Sequence, residues 1–212
     1  MMNAKSLKAM FSKSKKAPNS AATEPGGFTL IELLVAMAVA LIVLAAVVSL
    51  FTTLNKSYTR QNVAADVQQV ARSGVDFMAQ GIRMAGLDPT QSGNFGITAA
   101  TSTSITFAAD LDLSGGIPGP SEAITFFLNG DELLSSLDAV PLVENVDITN
   151  GPGLTFTYLA EDNSILSEPL DAIQRDAIRT VQITLTVREP AGRGNTVART
   201  YATEVRCRNI GI

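Results

Sequence analysis

Few side chains in this sequence have the chemistry for a site, and the most conspicuous acid stands where an acid is expensive. In the stretch EPGGFTLIELLVAMAVALIVLAAVVSLFTTL, residues 24–54, Glu32 is the sole charge from Phe28 as far as Lys56. A carboxylate in lipid costs about 2.5–3.5 kcal/mol on insertion scales, so it is kept only with a partner or a function. The bland alternative is an acid that snorkels to the headgroups near a helix start. A second acidic group is DLDLSGGIPGPSE, from Asp110. Asp110, Asp112 and Ser114 take the first, third and fifth places of a calcium loop, with Gly115 sixth and Ile117 eighth. The twelfth place holds Ser121, Glu122 comes one residue late, and Pro118 and Pro120 stiffen the exit. An ordinary turn between strands is therefore preferred, with a weak calcium site as the alternative. The acid pairs Asp131/Glu132 and Glu161/Asp162 sit beside turn signals, and nothing in the sequence brings them together as general acid and base.

The chain has no histidine. That removes Ser/His/Asp and Cys/His nucleophile pairs, His-ligated zinc and histidine acid/base chemistry together. The one cysteine, Cys207, has no partner for an internal disulfide. Its place in a strand alternation makes it a small buried apolar residue. Arg206 and Arg208 are expected as solvated strand residues. No catalytic residue and no cofactor are expected. Residues 1–27 hold Lys5, Lys8, Lys13, Lys15 and Lys16 against Glu24, which leaves eleven bases against nineteen acids in the rest, a balance of −8. So acidic a remainder does not neutralise phosphates over a broad surface, and no nucleic-acid partner is expected.

The elements that must carry these residues follow from periodicity. Phe28 to Leu54 is long enough to cross a hydrocarbon core of about 30 Å. The lysines before it predict a cytoplasmic N-terminus and an exported C-terminal part. An ordinary signal peptide fits less well, since its apolar region runs to only ~7–15 residues and no small-x-small cleavage site follows here. The helical pattern then continues. Val67, Ala71, Val75, Met78, Ile82 and Ala85 form an apolar stripe, while Arg60, Gln61, Asp66, Gln68, Arg72 and Asp76 lie elsewhere on the surface. The spacing predicts one helix from about Phe28 to Met84, ended by Gly86 as a left-handed cap and by Pro89.

Beyond it, strands are predicted within 103–110, 122–134, 154–160, 179–189 and 196–208, with a type I′ turn at Asn129-Gly130. In the fourth run Val181, Ile183, Leu185 and Val187 share a face; in the last, Val197, Tyr201, Val205 and Cys207 do. The fold class expected is α+β, a long N-terminal helix packed on a C-terminal antiparallel β-sheet domain.

The run GGFTLIELLVAMAV resembles the cleavage and methylation motif of type IV prepilins, with Gly27 before the cut, Phe28 opening the mature chain and Glu32 as its fifth residue. The resemblance implies a basic leader over 1–27 and removal of it by a membrane-embedded prepilin peptidase that also methylates Phe28. It further implies a transmembrane and filament-core helix over 28–54, its amphipathic continuation over 55–88 and a β-rich domain over 89–212. The freed amine of Phe28 would meet Glu32 of a neighbouring subunit. At 27 residues the leader is long for the commonest class. RMAGLDP, LVENVDITN…LTFTYL and IRTVQITLTVRE…RTYATEVRCRN also resemble, in order, the elements of PilW-type minor pilins. That likeness implies a low-abundance subunit that primes or caps a pilus. Its partners would be the peptidase, other major and minor pilins, the inner-membrane assembly platform and membrane lipid. It would stand in the inner membrane with its C-terminal domain in the periplasm, and later at the cell surface. Two alternatives stay open: a minor pseudopilin of a type II secretion system, and a single-pass membrane-anchored binding module.

Overall fold

The structure, a computed structural model, describes residues 26–192 and 194–211. Helix α1 spans Leu30–Arg83, 54 residues. The chain divides into two compact units between Leu50 and Phe51. In the first, every helical residue is exposed. Over its most apolar 18 residues α1 reaches a mean hydropathy of 3.0 with none of the window buried, so it is long and apolar enough to cross a membrane. Leu, Ala and Met are strong helix formers, and a helix satisfies its own backbone where water is absent.

In the second unit, α1 turns amphipathic. Val67, Ala71, Val75, Met78 and Ile82 are fully buried, with Gly74, Ala79 and Gly81 beside them. Arg72 and Asp76 form an exposed i,i+4 ion pair at 3.5 Å, which adds little stability. Past the helix Gly86 takes φ +78°. Its N–H donates not to the helix but to the carbonyl of Ala108, at 3.0 Å. Asp110 N–H then donates to Leu87 O at 2.8 Å, so the helix exit is stitched to a strand end.

Two antiparallel sheets complete this unit. The first runs in the order β1 (Ile97–Ala100), β2 (Ser104–Ala108), β3 (Ala123–Asn129), β4 (Glu132–Ser135), β5 (Asp138–Val143). The second has the order β7-β6-β8-β9, where β6 is Leu154–Leu159, β7 Ile165–Leu166, β8 Thr180–Pro190 and β9 Thr196–Arg206. A five-residue helix, α2 (Ala172–Asp176), precedes β8. One apolar core joins α1 to both sheets. Phe77 of the helix meets Phe126 of β3 edge-on, with centroids 6.1 Å apart. Between the sheets, the buried Tyr158 hydroxyl donates to Thr101 O at 2.7 Å, and Phe156 N–H donates to Ser102 O at 2.8 Å. Val146 bridges to Val187. The α+β architecture expected from the sequence is thus present, and β8 alternates as predicted, with Val181, Ile183, Leu185 and Val187 all fully buried.

Three differences have physical reasons. The β3–β4 hairpin pairs Asn129 with Glu132, so its central residues are Gly130 and Asp131, and of these only Gly130 has positive φ. The expected type I′ turn on Asn129-Gly130 is therefore replaced by a glycine-first turn of the II′ kind. A turn centred one residue earlier would set Asp131 opposite Leu128 on the core side; the observed register pairs Leu128 with Leu133 instead. Strands β1, β5 and β7 were not legible, being short and, for β5, interrupted by Pro141. Helix α2 was missed too, although its capping box was readable: Gln174 N–H donates to Asp171 Oδ1 at 2.7 Å and Gln174 Oε1 accepts from Asp171 N–H at 3.0 Å.

Candidate functional site

The N-terminal site is built on the first turn of α1. Gly26, Gly27, Phe28 and Thr29 precede the helix and are exposed, and both glycines have open space around them. Thr29 caps the helix: its Oγ1 accepts from the Glu32 N–H at 3.3 Å, and its carbonyl accepts from Leu33 N–H at 3.1 Å. Sequence reasoning did not single out Thr29, yet Thr-x-x-Glu is the spacing of a capping box. The Glu32 side chain does not complete the box; its carboxylate is exposed and makes no hydrogen bond or ion pair among the described residues. Next to it stand Phe28 at 84 % exposure and Leu30 at 82 %. The apolar surface continues through Ile31, Leu34, Leu41, Phe51 and Leu54, all exposed. So much contiguous apolar surface is stable only against lipid or other apolar chains. Of the leader expected over 1–27, residues 1–25 lie outside the described residues.

The second candidate is rearranged relative to the sequence expectation. Asp110, Asp112 and Glu122 each bring a carboxylate oxygen within 4.8 Å of the others, with Asp110 and Glu122 buried. The Ser114 N–H donates to Asp110 Oδ1 at 3.0 Å and Asp112 Oδ1 at 2.9 Å, and its hydroxyl oxygen accepts from Gly116 N–H. Glu122 arrives through strand pairing, since its carbonyl accepts from Ala109 N–H at 3.1 Å at the head of β3. Counting twelve residues along the loop could not find it. Each carboxylate has backbone donors. Gly115 N–H binds Asp110 Oδ2 at 3.1 Å, Leu111 N–H binds Glu122 Oε1 at 3.1 Å, and Gly119 N–H binds Glu122 Oε2 at 2.9 Å. Hydrogen bonds from Ser114 hold the Asp112 carboxyl below the usual carboxylate range. Turn building accounts for these acids.

The other pairs stay apart. Asp131 and Glu132 are at the β3–β4 turn of one sheet, whereas Glu161 and Asp162 are at the β6–β7 turn of the other. Asp162 accepts from the Ser164 N–H and hydroxyl, at 2.9 and 2.6 Å, which lowers its pKa. Cys207 is 2 % exposed, and burial pushes its thiol up to about 11.

Residues 26–48 match the family model of the prokaryotic N-terminal methylation motif. The match supports a type IV prepilin, and hence a structural subunit of pilin or pseudopilin type. It implies processing by a prepilin peptidase and association with other pilins. The apolar helix fits a membrane anchor. No curated protein and no solved structure matches the chain.

Proposed function

We propose that the chain is a minor pilin of PilW type that takes part in assembling a type IV pilus. The peptidase cuts between Gly27 and Phe28, and Phe28 becomes the methylated N-terminus of a mature chain whose membrane and filament-core segment is 28–54. Glu32 of one subunit then meets the Phe28 ammonium of its neighbour. The observation that carries this is a Glu32 carboxylate without a partner among the described residues, in the first turn of an exposed apolar helix, beside an open Gly27–Phe28 peptide. A buried ion pair loses hydration from both charges, so its use is registry between subunits more than net stability. Five lysines ahead of the span, with only Lys56 and Arg60 soon after it, support a cytoplasmic N-terminus and a periplasmic domain. Mass spectrometry of the protein purified from its native membranes is the test. A mature N-terminus at methylated Phe28 is expected; a chain that still begins at Met1 overturns the proposal. Deleting the gene should abolish surface fibres, whereas loss of enzyme secretion with fibres intact would assign the chain to a type II secretion pseudopilus.

A further inference from the structure

Arg83, Arg206, Arg208 and Asn209 line a cleft of about 460 Å³. Arg83 is in the last turn of α1, Arg206 ends β9, and Arg208 follows it. Cys207, just past the strand, is buried, whereas Arg206 and Arg208 on either side of it are both exposed and line the same cleft. The segment is held in place: Cys207 N–H donates to Arg179 O at 2.8 Å, and Asn209 Nδ2 donates to Arg83 O at 3.4 Å. All three arginines are exposed, and none of their guanidiniums has an ion pair or hydrogen bond among the described residues. Glu204, two residues before Arg206 on the same face, makes no ion pair with it.

A helix C-terminus attracts one cation, which accounts for Arg83 alone. Three guanidiniums in one cleft repel unless an anion joins them. Acids are plentiful elsewhere: residues 84–174 hold thirteen Asp and Glu and no Lys or Arg, whereas 175–212 hold seven arginines against three acids. Charge is therefore segregated along the chain, not mixed.

We infer that the Arg83–Arg206–Arg208 cleft is a contact for an exposed carboxylate pair on a neighbouring subunit, an inference that rests on the proposed filament role. Guanidinium forks take carboxylates in two parallel hydrogen bonds each. The partner surface must be acidic, so the cleft meets a different patch from itself, as in the heterologous contacts that propagate helical assemblies. Arg83 stands 29 residues beyond Leu54, about 44 Å along the helix, which favours a protein carboxylate over a lipid headgroup. The acidic balance of the chain disfavours nucleic acid.

The test uses the full chain in cells that assemble the filament. In Arg206→Glu/Arg208→Glu, cleavage at Phe28 and trypsin resistance of the β-domain should stay as in the wild type. Recovery in sheared filaments should fall on the order of ten-fold or more, as the loss of charge-assisted contacts implies. A photo-crosslinking residue in place of Asn209 should capture another pilin subunit at a peptide with two or more Asp or Glu residues. Changing those acids to Lys should restore recovery of the double variant. Wild-type recovery of the double variant, or crosslinks only to lipid or to acid-free peptides, overturns the cleft. If the double variant loses trypsin resistance, Arg206→Gln/Arg208→Gln and the crosslink decide. An unprocessed wild-type N-terminus would instead sink the filament role itself, and leave the crosslinked peptide to judge the cleft.

Discussion

Glu32 has two chemical roles that a single substitution separates. Its backbone N–H is what the Thr29 cap holds, and Gln supplies the same N–H. As a charge it is the proposed contact. Glu32→Gln should therefore leave membrane insertion and Phe28 cleavage unchanged while filament recovery falls on the order of ten-fold, as for loss of a desolvated charge pair. Quantitative immunoblots of the membrane and sheared fractions measure this; unchanged recovery would overturn the charge contact. Cys207 makes the opposite case, a reactive atom with no reactivity. Its thiol is raised from 9.0 to about 11, so its contribution to stability is complete below pH 9 and is lost as pH rises through 11. Iodoacetamide at neutral pH should label it only in denaturant, as read by intact mass.

At the scale of elements, α1 approaches the sheets closely through two glycines. A Cβ on Gly74 would run into the Val143 side chain of β5, whereas one on Gly81 would sit 3.1 Å from the ring edges of Phe107 and Phe126. Alanine gains about 1 kcal/mol of helix propensity over glycine. Gly74→Ala should still destabilise by ~1–3 kcal/mol through overpacking, while Gly81→Ala should be close to neutral, the propensity gain offsetting a small ring shift. Urea unfolding of both variants in detergent checks the contrast, and equal effects would contradict it. The loop from Asp110 to Glu122 offers a second comparison. Asp110→Asn loses one of two backbone acceptors at a fully buried position, which costs roughly 1–3 kcal/mol. The loss should be the same in calcium and in EDTA. A Tm rise with calcium confined to the wild type would turn the turn into a cation site.

For the whole molecule, the absence of histidine shapes the response to pH. The Asn150 amide, the Thr149 N–H and the Arg188 guanidinium hold Asp147 below its usual 3.8, and Asp112 and Asp162 are lowered by Ser114 and Ser164. Groups with depressed folded values stabilise above their unfolded pKa, and that stabilisation disappears as pH falls through the folded value. Stability of the second unit, followed by circular dichroism, should thus hold from neutral pH to about 4 and decline below it. A transition near pH 6 would contradict this. The same charged residues are segregated along the chain, which is the basis of the arginine cleft.

Short-range chemistry was legible without a structure. The apolar span, the Gly27–Phe28–Glu32 spacing, the helical stripe from Val67 to Ile82 and the alternation of β8 each depend on neighbours within a few residues, where helix and strand periods leave their mark. Tertiary structure decided what depends on distant pairing. Only the β2–β3 register returns Glu122 to Asp110, and only the end of β9 packing beside the end of α1 brings Arg206 and Arg208 to Arg83. Such juxtapositions join residues more than a hundred positions apart in the arginine case, and no local period in the sequence records them.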